Sequence, residues 1–197
     1  MNFLAHAYLS FGQPGLLVGN MISDFVKGKQ QYDYPPGIRE GIVLHRQIDQ
    51  FTDEHPVTRE AKAFFRPVYR LYSGAFIDVV YDHFLAADPN EFTDESLAGF
   101  AQQTYTTLQE HYAYLPMEFA GMLPYMRTHN WLYNYRTIEG ISKSMAGLVR
   151  RSAYLNDSAP GVVILQNNYE ALRSLYQVFW ADVKAFVLEQ QGLLPAS

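Results

Sequence analysis

The sequence predicts an all-α fold, a bundle of about seven helices in one domain spanning residues 1–197. Three observations predict it. Apolar residues recur three or four apart over most of the chain, no stretch alternates with period two between hairpin turns, and Pro/Gly/Asn/Asp breaks cut the chain into helix-length segments. A chain of 197 residues with 48% hydrophobic and 18% charged residues has the composition of a globular domain that buries a full core. No repeat, linker or low-complexity stretch marks a second domain.

The breaks fall at Gln13-Pro14-Gly15, Asp33 to Gly37, Ser73-Gly74, Asp88-Pro89-Asn90, Leu115-Pro116 and Ser158 to Gly161. Pro36 suits a first helical turn, where its missing N–H costs nothing, and opens a helix over 36–52. Thr93 with Ser96 caps the element after the 88–92 loop. In the last third, Leu165, Tyr169, Leu172, Tyr176, Phe179, Val183 and Val187 step along one face, which predicts one long structural helix.

Composition excludes several functions. With no Cys there are no disulfides, thiolate metal sites or cysteine nucleophiles, so oxygen and imidazole must supply any chemistry. The apolar start is interrupted by His6, Gln13 and Pro14 and lacks a basic n-region, so the expectation is a cytoplasmic protein without a membrane span. A net charge of −5 disfavours nucleic acid as a partner. Within 27–70, however, eight basic residues (Lys27, Lys29, Arg39, Arg46, Arg59, Lys62, Arg66, Arg70) face six acidic ones, a surface that suits an acidic partner or simply a solvated mixed-charge face. Oligomeric state leaves no mark on the sequence.

Three segments place acids or imidazoles where the pattern calls for hydrocarbon. His45 and Asp49 lie four apart, on one helix face, so they can converge on one ion or phosphate, and Asp53 continues the row. Asp78 and Asp82, with His83 adjacent, sit in a helix that is otherwise apolar on nearly all sides. Burying carboxylates there is unfavourable unless a cation, Arg or backbone donors compensate. Asp24 lies within the apolar stretch 16–26 between Gly19 and Gly28, and His6 is either a ligand or a core histidine. Asp24, His45, Asp49, Asp78, Asp82 and His83, with His6, are the candidate metal ligands; Asp24, His45, Arg46, Asp49, Asp82 and His83 are the candidate catalytic residues.

A mixed Asp/His set without Cys favours Mn²⁺, Fe²⁺ or Mg²⁺ over structural zinc, because oxygen-rich sites suit harder ions. Such an ion polarises a phosphoryl oxygen and activates water, which makes phosphoester hydrolysis the expected chemistry. Arg46 and Lys27 are candidates to neutralise nonbridging oxygens, although Arg46 serves equally well as a partner for a surface carboxylate. No Walker loop, G-x-G-x-x-G turn, G-x-S-x-G elbow or H-E-x-x-H helix is present. A hydrolase of nucleotides or other small phosphoesters and a non-catalytic helical binding protein are the competing readings.

Together, Asn2-Phe-Leu-Ala-His6, Gly19-Asn-x-x-x-Asp24-Phe-x-x-Gly28, Pro35-Pro36, Gly41-Ile-x-x-His45-Arg-x-Ile-Asp49-x-x-Thr-Asp53 and Asp78-x-x-x-Asp82-His83-Phe-Leu resemble the acyl carrier protein phosphodiesterase family, as do Asn130-Trp131-Leu132, Tyr135-Arg136 and Ile141. The resemblance implies a Mn²⁺-dependent enzyme that hydrolyses 4′-phosphopantetheine from the serine of holo acyl carrier protein, with an HD-phosphohydrolase-like helical fold. This chain has no His-Asp dipeptide; Asp82-His83 reverses the order. Acyl carrier protein is acidic, and Lys27, Lys29, Arg39 and Arg46 are the expected contacts to it.

Overall fold

A computed structural model describes residues 1–192. Among them are eleven α-helices, four 3₁₀ turns and no strand. The helices are α1 (Phe3–Tyr8), α2 (Pro14–Ile22), α3 (Pro36–Glu54), α4 (Pro56–Tyr69), α5 (Ser73–Ala87), α6 (Asp94–Glu110), α7 (Met117–Thr128), α8 (Trp131–Asn134), α9 (Ile138–Arg151), α10 (Ala159–Asn167) and α11 (Tyr169–Gln190). The 3₁₀ turns are Ser23–Phe25, Gly28–Asp33, Arg70–Tyr72 and Tyr112–Tyr114.

The all-α expectation holds, and the helices outnumber the seven expected because several breaks lack a Pro-Gly signature. Asn130 adopts a left-handed conformation with φ 42°, which separates α7 from the single-turn α8. The long helix expected from Leu165 is divided at Asn168, whose backbone N–H and side-chain amide both donate to the Ile164 carbonyl. Side-chain competition of this kind ends a helix without disturbing its apolar stripe. Where the punctuation was read, it holds: α3 opens on Pro36, and Thr93 accepts from the Ser96 N–H at the start of α6.

Helix α5 forms the middle of the core. Phe76, Ile77, Val79, Val80, Tyr81, Phe84 and Leu85 are all buried, so this helix is enclosed on nearly every side. Against it pack α1, α4, α9 and α11. The most extensive helix pairing is α2 on α3, and it is made possible by Gly19 and Gly41. A Cβ on Gly19 would lie 1.9 Å from the Ile38 carbonyl oxygen, and one on Gly41 would lie 2.3 Å from that of Leu16. The two backbones therefore touch, and this contact positions the site.

Among the described residues no helix is long and apolar enough to cross a membrane.

Candidate metal centre

Three elements converge at the N-terminal end of the core. Helix α1 supplies His6, α3 supplies His45 and Asp49 from successive turns of its buried side, and the turn after α2 supplies Asp24. His6, His45 and Asp49 each offer a ligand atom within 4.8 Å of the others'. His45 Nε2 is 3.1 Å from Asp24 Oδ1 and 3.2 Å from Asp49 Oδ2, and His6 Nε2 is 3.2 Å from Asp49 Oδ1. The two imidazoles stack with ring centroids 3.9 Å apart and an interplanar angle of 16°.

Hydrogen bonds on the far side of each ring fix its orientation. His45 Nδ1 lies 2.7 Å from the Asn20 backbone oxygen, which only accepts, so Nδ1 carries the proton. His6 Nδ1 lies 2.7 Å from Asn20 Oδ1. The amide orientation follows from its other end, where Asn20 Nδ2 donates to the His6 carbonyl at 2.8 Å and to Ser10 Oγ at 3.2 Å. Both rings thus direct Nε2 toward the carboxylates.

The charges obey the same geometry. Burial first, then the neighbouring His45 charge, lower the His6 pKa to about 4, so His6 is a neutral imidazole at pH 7. Burial also opposes a charge on His45, but hydrogen bonds to Asp24 and Asp49 outweigh it and raise its pKa to about 9. For Asp49, burial is outweighed by the Met1 ammonium and by the hydrogen bond from His45, and its carboxyl stays well below the usual range. The Met1 ammonium sits 2.9 Å from Asp49 Oδ1 and 3.4 Å from Asp78 Oδ1. Burial raises the Asp78 pKa, and that ammonium opposes the rise.

This donor set suits a divalent cation. His6 Nε2 is a buried lone pair with no hydrogen-bond partner among the described residues, facing an ionised carboxylate and a second imidazole. A buried acceptor without a donor is unfavourable, and an ion removes the mismatch. Asp24 and Asp49 remain accessible, with side chains 72% and 38% exposed, so the cluster opens to solvent.

Two expected members lie elsewhere. Asp82, completely buried, accepts from the Leu4 N–H at 2.7 Å and the Ala5 N–H at 3.0 Å, closing the N-terminus of α1. Its carboxylate is committed to orphan helix amides and not to the cluster. His83 points across the core, with Nδ1 2.7 Å from the Tyr135 carbonyl and Nε2 2.9 Å from the Tyr169 hydroxyl. On α5 it lies 100° from Asp82, which carries it to another face. Arg46, expected at phosphate or a surface carboxylate, instead donates to Gln31 Oε1 at 2.8 Å and to the Val26 carbonyl at 3.1 Å, tying the 26–31 segment to α3. Asp53 pairs with Lys62 at 2.6 Å. Lys27 and Lys29 are exposed and Arg39 is half-buried.

Asp82→Ala is accordingly expected to act on stability, lowering it by about 3 kcal/mol as two buried amide donors lose their carboxyl acceptor. Urea denaturation checks this. An unchanged midpoint would show that the α1 closure contributes nothing.

Sequence reasoning missed Asn20 and the Met1 ammonium. The signal for Asn20 was present, a lone amide inside the apolar run Leu16 to Ile22, flanked by Gly19.

Fold and cluster define a helical protein with a solvent-accessible His/carboxylate cluster that could hold a metal ion. Comparison with known proteins then fixes the family. The family model described as acyl carrier protein phosphodiesterase matches residues 1–183. Relatives named acyl carrier protein phosphodiesterase include that of Yersinia pestis, 33% identical over 91% of this chain and 94% of its own. That of Yersinia enterocolitica is 32% identical over 97% and 98%, and that of Serratia proteamaculans 31% identical over 97% and 100%. No solved structure matches. The chain belongs to the acyl carrier protein phosphodiesterase family.

Proposed function

We propose that this protein hydrolyses the phosphodiester joining 4′-phosphopantetheine to the serine of holo acyl carrier protein, with a divalent ion, Mn²⁺ first, held by His6, His45 and Asp49. The observation that carries the reading is the pair of stacked imidazoles whose Nδ1 atoms are bound to Asn20 and whose Nε2 atoms face Asp49. Family membership supplies the substrate. When bound, such an ion polarises a phosphoryl oxygen and lowers the pKa of water. The chain's own residues do the remaining work. Asp24, exposed and ionised through its bond to His45, is placed to accept a proton from water or to orient it. Asp78 lies 3.4 Å from the Met1 ammonium that also bonds Asp49, and so helps balance that positive charge beside the cluster.

Incubation of several holo acyl carrier proteins with the purified protein and Mn²⁺, followed by intact-mass measurement, tests the proposal. Loss of the prosthetic group, abolished by chelation, is expected. No loss from any carrier would overturn it, and turnover of nucleotides alone would move the site to small phosphoesters.

Ion binding should depend on pH in a defined direction. In the metal-free protein the His45 Nε2 proton competes with the ion up to a pKa of about 9, whereas His6 is neutral and Asp24 and Asp49 are already ionised at pH 7. Mn²⁺ affinity is therefore expected to rise with pH, about tenfold per unit below that value, with about one proton released per ion. Calorimetry at pH 7 in buffers of different ionisation enthalpy counts that proton, and a count of zero would remove His45 from the ligand set.

The carrier protein is acidic, and Lys27, Lys29 and Arg39, on the segments flanking Asp24 and opening α3, form the surface proposed to receive it. Changing all three to Gln is expected to raise KM about tenfold at low salt with kcat little changed, an effect that salt erases. An unaltered KM would place docking elsewhere.

A further inference from the structure

We infer that Asn20 is the positioning residue of this centre, one side chain that sets which nitrogen of His6 is free to bind an ion. The inference rests on the metal reading above for its purpose, but its geometry stands without a metal.

Asn20 is fully buried at the middle of the α2–α3 contact. Its amide makes three hydrogen bonds to α1 and the turn that follows it: Oδ1 accepts from His6 Nδ1, and Nδ2 donates to both the His6 carbonyl and Ser10 Oγ. Ser10 Oγ in turn donates to the same His6 carbonyl at 2.9 Å. Rotating the amide by 180° would set its oxygen against that carbonyl, two acceptors 2.8 Å apart, so only one orientation is tolerated in a buried site. That orientation fixes the Nδ1–H tautomer of His6 and leaves the Nε2 lone pair facing Asp49. Partners on the outer nitrogen of a ligating histidine act in this way, holding ring and tautomer ready.

His45 is held differently. Its Nδ1 bonds to the backbone oxygen of Asn20, a contact that depends on the helix approach at Gly19 and Gly41 and not on the Asn20 side chain. One residue therefore addresses both rings through two separable groups. Removing the side chain should release His6 and leave His45 in place.

Asn20→Leu, which keeps the heavy-atom branching but has no polar atom, tests this by imidazole ¹⁵N NMR on the metal-free protein. The wild type is expected to show His6 in a single tautomer with an unprotonated Nε2. In Asn20→Leu, His6 should become a mixture of tautomers while the His45 Nδ1–H bond persists, and Mn²⁺ affinity should fall about 10- to 100-fold. If Asn20→Leu does not fold, Asn20→Ser, one bond shorter, carries the same readout. A single unchanged His6 tautomer in the variant, or equal disturbance of both histidines, overturns the assignment. A wild type that binds no Mn²⁺ would defeat the metal reading, while the ring signals would still decide the part played by Asn20.

Discussion

Asp49→Asn is expected to lower kcat/KM toward holo acyl carrier protein about 10³-fold or more, roughly 4 kcal/mol of transition-state stabilisation, because it neutralises the one carboxylate that faces both imidazoles. Asp49 faces His6 Nε2, His45 Nε2 and the Met1 ammonium within 3.2 Å. An amide has the same shape but no net charge, so it attracts a divalent ion far less and leaves two imidazoles and an ammonium without their common partner. The His45 pKa, held up in part by Asp49, should fall, and Mn²⁺ binding should weaken in parallel with activity. Parallel loss of affinity and rate, with circular dichroism unchanged, is the expected pattern. Near-normal rates in Asp49→Asn at saturating Mn²⁺ would exclude this cluster as the reaction centre.

Gly41→Ala is expected to destabilise the protein by about 2 kcal/mol or more, against the direction set by helix propensity, which favours Ala over Gly by about 1 kcal/mol. A methyl group at Gly41 would meet the Leu16 carbonyl oxygen at 2.3 Å and the Asn20 nitrogen at 2.9 Å, both of them backbone atoms that no rotamer change relieves. Helices α2 and α3 must then separate. Asn20 moves with α2 and His45 with α3, so the 2.7 Å contact between them opens. A displacement of about 1 Å at a reaction centre costs on the order of 10²-fold in rate, and activity should fall accordingly. Gly121→Ala is the control, since nothing lies within 4 Å of a Cβ there in α7, and it should be neutral or slightly stabilising. If both substitutions stabilise alike, the α2–α3 contact is looser than the close approach requires.

The histidine and the carboxylate of α3 were legible in the sequence because four-residue spacing has a fixed geometric meaning on a helix, whatever surrounds it. Asp82 and His83 were legible as anomalies but not as to purpose. A buried carboxylate must be compensated, and sequence cannot tell an ion from two backbone amides; here Leu4 and Ala5, some 78 residues away, supply the compensation. Arg46 posed the same problem in reverse, since its partners are a side-chain amide and a backbone carbonyl of the neighbouring segment. His6 stood as one lone imidazole in an apolar run, and only the packing of α1 against α2 and α5 places it on His45.

By itself the sequence determined the all-helical class, most helix starts and the α3 row of His45 and Asp49, because these depend on local periodicity, proline geometry and capping. The tertiary structure decided which of the buried polar groups share a centre. Those partnerships join residues distant along the chain, through contacts such as Gly19 on Ile38 and Asn20 on His45, and they follow from how closely two backbones approach, a quantity no local pattern encodes.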